Sequence, residues 1–226
     1  AKYERLGLGA PEEGGSGVRL TVFAGGDEPL ADLWVGESEA GGAFVRAAGS
    51  ARVYAVDGEP LEIGAPSDWM DLDFIDFDPR AMSRAEVRPE SGPAYLIARA
   101  GTAMESFELR RPSNWRLLTG GAANGVGQAA ARLRFRDVRP AADFTGEPVA
   151  LHGAATFSGL GLTLSIHADG DRRWAIVEAR ALADDAAPRA EFLNDRLAGW
   201  AFLLSDDAHE RLTRPLDAMA EPYGAG

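Results

Sequence analysis

The chain has 226 residues, 46% hydrophobic and 26% charged, which is the balance of a folded protein with a proper core and not of a disordered one. Its 23 Lys and Arg against 35 Asp and Glu leave a formal charge of -12, spread along the chain. That charge argues against a nucleic-acid partner, whose binding needs basic side chains on phosphates, and reads as a solvated acidic surface. With no cysteine there is no disulfide, thiolate ligand or Cys nucleophile, and no apolar run approaches the roughly 18 residues that span a bilayer.

The first element is a hairpin, "GVRLTVFAGGDEPLADLWVG": Val18, Leu20 and Val22 alternate with Arg19, Thr21 and Phe23, Gly25-Gly26-Asp27 turns, and Leu30 to Val35 returns. Strands follow at "AFVRA" and "ARVYAV", linked by Gly49-Ser50. "PSDWMDLDFIDFDPRAM" predicts a short helix and then a turn in which Asp78 caps and Pro79 takes the first helical position. A second meander runs through "AEVRPE", "AYLIARA" and "MESFELR", with turns at Gly92-Pro93 and Gly101-Thr102. Residues 124–135 read as a helix capped by Asn124. After it come the strands "LGLTLSIH" and "RRWAIVEARAL", joined by "ADGD". In "APRAEFLNDRLAGW", Phe192, Leu193, Leu197 and Trp200 stand at helical spacing, and "DDAHERLTRPLDAMAE" supplies a last helix that Pro215 kinks or breaks. Meanders punctuated by single helices mean antiparallel sheets, an α+β class.

The pattern also suggests an internal repeat. "SGVRLTV" from Ser16 aligns on "SGLGLTL" from Ser158, each followed by a Gly/Asp turn and a strand bearing Trp34 or Trp174. "DWMDLDFIDFDPRAMSR" echoes "GWAFLLSDDAHERLTR", matching Trp69 with Trp200. This divides the chain into two related units, 1–83, strand-rich and truncated at its N-terminus, and 84–226. On that reading a further meander and helix, preceded by a membrane anchor, stand before Ala1, and the first unit exposes an apolar face.

Several patterns resemble chemistry. Gly125, Gly127 and Ala130 spell G-x-G-x-x-A, a dinucleotide-binding turn, but no apolar strand leads into it and no Lys-Ser/Thr pair follows, so it reads as a loop closing into a helix. Asp68, Asp71, Asp73, Asp76 and Asp78 could be oxygen ligands for calcium or magnesium, yet lack the glycine and closing Glu of an EF-hand and read as the wet side of an amphipathic segment. His152, His167 and His209 form no paired-His or H-E-x-x-H motif, Ser16 and Ser158 sit in turns, and the five tryptophans read as core anchors. No catalytic, cofactor-binding or metal residue is therefore assigned.

The order of pieces carries more. "YERLGL", "RLTVFAG", "LADLWVG", "GGAFVRAAGSARVYAVDG", "DWMDLDFIDFDPRAMSRAEV", "LRFRDVRPA", "TFSGLGLTLSI" and "LNDRLAGWAFLLSDDAHERLTRPLD" together resemble the bacterial family called domain of unknown function 4340, across essentially the whole chain. Pro215 departs from the uninterrupted terminal helix expected there, and the unit that normally precedes "YERLGL" is missing. The resemblance implies no catalytic residues. It implies a periplasmic, membrane-anchored module, and the company some members keep implies an accessory of an ABC-type transport complex that binds a partner protein. Two alternatives stay open: an envelope hydrolase using Asp73 and Asp76 or a histidine, and a glycan or small-ligand binder using exposed tryptophans.

Overall fold

Alternating side chains between residues 18 and 57 build four strands, β1 (Val18–Phe23), β2 (Pro29–Glu39), β3 (Gly42–Ala47) and β4 (Tyr54–Asp57). They form an antiparallel meander in the order β1-β2-β3-β4. A computed structural model describes residues 2–24, 26–39, 42–57, 66–103 and 106–224. Gly25 of the first expected turn and Met104 of "MESFELR" lie outside the described residues.

The chain divides into two compact units, Ala1–Ala65 and Pro66–Gly226. Residues 66–83, grouped by sequence with the first unit, carry a short strand β5 (Ile75–Asp76) and the start of β6 (Met82–Arg88). In the first unit the register Val18↔Val35↔Val45↔Tyr54 places these residues and their i±2 neighbours, all apolar among the described paired positions, on one side. The other side carries Arg19, Trp34 and Arg46. The N-terminal segment packs there: Arg46 lies 4.6 Å over the ring of Tyr3, whose hydroxyl donates to the Ala51 carbonyl at 3.0 Å. Leu8 is fully buried, and Gly36 lacks the Cβ that would strike the Leu6 carbonyl oxygen and crowd the Leu8 side chain.

The second unit adds β7 (Tyr95–Ala98), β8 (Glu108–Arg111), β9 (Trp115–Leu117), helix α1 (Asn124–Gly127), β10 (Arg132–Leu133), β11 (Val138–Pro140), β12 (Ala150–Thr156), β13 (Leu160–Asp169), β14 (Arg172–Ala181), α2 (Ala187–Leu197), β15 (Trp200–Leu203), α3 (Asp206–Thr213) and β16 (Ala220–Pro222). Eight strands make one antiparallel sheet, β11-β15-β14-β13-β12-β6-β7-β8, while β5 pairs with β10 and β9 with β16. One face of the large sheet is apolar: Val87, Tyr95, Ile97, Leu162, Leu164, Ile166 and Val177 are buried. Helix α2 covers β13 and β14 with Leu193 and Leu197, and α3 covers β12 and β6 with Leu212. The architecture is antiparallel α+β.

Several expectations are corrected. The helix expected over 124–135 is the single turn α1, a 3-10 turn at Ala129–Ala131 and then β10, because the backbone of 132–135 is drawn into pairing with residues 72–76. Ala123, not Asn124, is its N-cap; the Asn124 side chain instead accepts from the Phe107 N–H at 2.9 Å. Trp200 lies in β15, not on α2, and it and Phe192 are exposed. Other expectations hold. Asp78 caps the turn Pro79–Ala81 by accepting from the Arg80 N–H, and α3 stops before Pro215.

The proposed repeat is only partly mirrored. Residues 18–39 and 160–181 are both antiparallel hairpins, but Trp34 stands opposite Arg19 whereas Trp174 stands opposite His167. The downstream segments also differ: Trp69 lies in a 3-10 turn and Trp200 in a strand. What the two units share is a run of four consecutive antiparallel strands, β1 to β4 and β12 to β15.

Candidate functional site

The glycine motif has a mechanical explanation. β9, the strand before it, pairs antiparallel with β16, so no βαβ unit exists around it, and α1 is one turn long. A Cβ on Gly127 would come within 2.6 Å of the Phe107 ring, so position 127 must be glycine for the buried ring to seat.

The aspartates meet arginines. Asp71 faces Arg196 at 2.8 Å, Asp76 faces Arg132 at 3.1 Å, and Asp73 faces Arg134 at 3.9 Å. Arg132 and Arg134 alternate with the buried Leu133 and Phe135, so the strand turns its cations toward the acids and its apolar side chains into the core. The residues missed in the sequence are these arginines; "RLRFR" alternates, and that was the available signal. Among the described residues no group of three or more His, Asp or Glu is placed to hold a metal.

Histidines are separated by the fold. His152 is fully buried on the inner face of β12, its Nδ1–H donating to the Leu212 carbonyl at 2.8 Å, and burial pushes its pKa down to about 4. His167 is buried beside Phe144, ring centroids 5.3 Å apart, and burial lowers its pKa, opposed by the charge of Glu147. His209 on α3 donates through Nε2 to Glu90 at 2.9 Å, and Arg173 reaches the same carboxylate at 2.7 Å. The hydrogen bond from Arg173, with a smaller one from His209, holds Glu90 below the usual carboxylate range against the opposing effect of burial. This trio ties α3, β14 and the β6–β7 turn together. Ser158 bonds Thr156 within the β12–β13 turn.

Of the tryptophans, Trp174 is a core anchor, stacked 4.3 Å under the Arg139 guanidinium, whereas Trp69 and Trp200 are exposed. Trp200 borders a cleft of about 390 Å³ with Met70, Leu72, Phe74, Val138 and Phe202, closed on one side by the Asp71–Arg196 pair. Beneath it Phe74, Phe135 and Phe202 cluster with ring centroids 4.6 to 5.9 Å apart.

The most distinctive surface is in the first unit. One side of its sheet carries Val18, Leu20 and Val22 from β1, Ala31, Leu33 and Val35 from β2, Ala43 and Val45 from β3, and Tyr54 and Val56 from β4, with no charged group among them. None is buried: Val18 and Val22 are 41% exposed, Tyr54 51% and Val56 46%. A contiguous face of this kind is uncommon on a protein surface unless something docks there. At its margin Arg52 lies 5.1 Å over the ring of Tyr54, Asp27 and Glu28 are exposed in the β1–β2 turn, and Asp57 at the end of β4 alternates onto the opposite side. On the opposite side Asp32, its pKa lowered first by the Arg19 hydrogen bond, pairs with that arginine at 2.6 Å.

No helix among the described residues is long and apolar enough to cross a membrane. In comparison with known proteins, the family model described as "Domain of unknown function (DUF4340)" matches residues 1–148. No curated protein and no solved structure matches the chain.

Proposed function

The chain belongs to the DUF4340 family, and from that premise we propose that it is a non-enzymatic module that binds a partner protein on the extracytoplasmic side of a bacterial envelope, held there by a membrane anchor and serving an ABC-type transport complex. The observation that carries the reading is the exposed apolar face of the first sheet, made by ten described side chains, in a chain whose overall formal charge is -12. The transport-complex setting rests on the resemblance alone. The relation between the two units belongs to the same proposal, each supplying a four-stranded meander, one covered by helices and one left open.

The test is site-specific photo-crosslinking in living cells with the full-length gene, the photoreactive residue placed at position 54 on the apolar face or at position 21 on the other. The reading expects a discrete protein adduct from 54 that is absent from 21, with a transporter subunit identified in it. No adduct from 54, or equal adducts from both, overturns it. A second reading, a small-ligand binder, is favoured by one observation, the 390 Å³ cleft bordered by Trp200; saturable quenching of tryptophan fluorescence by a glycan panel, lost in Trp200→Ala, would establish it instead.

A further inference from the structure

We infer that the cleft bordered by Trp200 is a binding site for a small organic cation, an ammonium group carried on an apolar body. The inference goes beyond the partner-binding reading, which concerns the first unit, and fixes the charge that the small-ligand reading leaves open. It starts from where Trp200 stands. In the register of β11 on β15, Pro140 faces Trp200 and Val138 faces Phe202, while Phe202 also faces Ala175 on β14. Trp200 and Phe202 are two positions apart and so share one side of the sheet, the side whose buried residues, Ala175, Val177 and Phe202 among them, form the core under α2. Phe202 is 3% exposed there, yet Trp200 is 45% exposed. Helix α2 ends at Leu197, and the β11–β15 corner is left to the last turn of that helix and to residues 70–74, with the cleft of about 390 Å³ between them.

The lining selects the ligand. Met70, Leu72, Phe74, Val138 and Phe202 give an apolar floor, and the volume lies at the small end of the range for small-molecule pockets, which suits one ring and a short chain. The charged side chains of the lining are Asp71, Asp195 and Arg196. Arg196 is already engaged: it holds Asp71 at 2.8 Å, and its guanidinium lies 4.8 Å over the ring of Phe192. Asp195 is exposed and has no ion-pair or hydrogen-bond partner among the described residues. The charge left unanswered at the cleft is therefore negative. Arg134 and Arg136 line the adjoining hollow with Asp68 and Asp73 and are not part of this cleft's lining. The face of an indole also attracts a cation electrostatically. A ligand with its apolar body on the floor and its ammonium beside Trp200 and Asp195 meets all three features, and the chain's formal charge of -12 favours the approach of cations.

The probe is phenylbutylammonium, titrated against the full chain beside phenylbutyrate and phenylbutanol, which carry a like ring and chain with an anion and with no charge. The expected result is saturable binding of the amine, about tenfold or more tighter than either companion, with chemical-shift changes at the Trp200 indole N–H and at the amides of residues 70–74, 195 and 196. Asp195→Asn should weaken the amine about threefold or more and leave the alcohol unchanged. Trp200→Ala should weaken the amine about tenfold. Both residues are exposed, and the shift map on the unaltered chain stands however either variant folds. No saturation by the amine, shifts away from the cleft, or a carboxylate or alcohol that binds as tightly as the amine overturns the inference. So does an Asp195→Asn effect that is equal on amine and alcohol, which would make Asp195 a structural residue only. Saturable shifts at these residues with a neutral glycan and none with the amine leave the small-ligand reading standing and remove the cation. A protein adduct at position 54 in cells is independent of all these outcomes, so the partner reading stands or falls separately.

Discussion

Gly127 lies against the ring of Phe107 so closely that any Cβ at 127 would fall 2.6 Å from its carbons. Phe107 is buried and its backbone is held by Asn124, so the ring has little freedom to retreat. Gly127→Ala should therefore destabilise the chain by about 1–3 kcal/mol, the usual cost of overpacking. Gly125 has open space where its side chain would be. Gly125→Ala should be neutral or stabilising by up to about 1 kcal/mol, since Gly is the poorer helix former. Urea denaturation of the two variants separates them, and the opposite order would refute the packing account. Adenine dinucleotides should leave the melting temperature of the unaltered chain unchanged.

His152 makes stability depend on pH in a definite direction. Its folded pKa is about 4 against an ordinary 6.5 because burial opposes the charged ring. Between those values the unfolded chain binds the proton and the folded chain does not, so stability falls as pH drops from 6.5 toward 4, by on the order of 3 kcal/mol in all. His152→Leu leaves the Leu212 carbonyl without its donor and should cost about 1–3 kcal/mol at pH 7, yet flatten this part of the profile. Denaturation midpoints of both proteins at a series of pH values decide it; parallel profiles would show that the carboxylates, not His152, govern the window.

How much of this was legible in the sequence depends on whether the cause is local. β13 and β14 are ten residues each, rich in Leu, Ile, Val and Trp and joined by a Gly/Asp turn, and Leu160, Leu162, Leu164 and Ile166 keep a two-residue period, so local pattern revealed them. β12, between β13 and β6, passed unnoticed, because Ala150, His152, Gly153, Ala154 and Ala155 have little β-propensity; only neighbours on both sides make them a strand. The run Ala129–Ala131 misled in the other direction, its helical preference overridden when Leu133 paired with Ile75. The pairing of Asp71 with Arg196 was beyond sequence reasoning, since 125 positions separate them. The alternation that exposes Val18 and Val22 was plain; the contribution of Tyr54 and Val56 required the register of β4 on β3.

Asn194 of α2 acts as a substitute strand. Its Oδ1 accepts the Ala179 N–H and its Nδ2 donates to the Ala179 carbonyl, both at 2.9 Å, at a point on β14 beyond its pairing with β15. Asn194→Leu should cost about 1–3 kcal/mol by stranding both backbone groups. Asn194→Asp keeps the acceptor but sets a carboxylate beside the carbonyl, and should cost at least as much at pH 7 while recovering in part as the acid protonates. Equal stability of Asn194→Asp and the unaltered chain at pH 7 would refute the two-sided bond.

The exposed acid–arginine pairs should matter little individually. Asp76 and Arg132 are both well over half exposed, so Asp76→Asn or Arg132→Gln should each change stability by less than about 1 kcal/mol. Calcium should leave the melting temperature unaltered in either background. A calcium-dependent rise lost in Asp71→Asn would restore the metal reading of this segment.

The last prediction follows from the contrast between the two sheets. On β13 the side chains of Leu160, Leu162, Leu164 and Ile166 are buried, while in the first unit's sheet every described side chain is half-buried or exposed. Burial of apolar contacts sets how rarely a segment opens, so amides of β1 to β4 should exchange with solvent deuterium much faster than those of β13, by at least about a hundredfold. Exchange in β2 as slow as in β13 would mean that the open face is no weakness, and the physical reason for expecting a partner there would be gone.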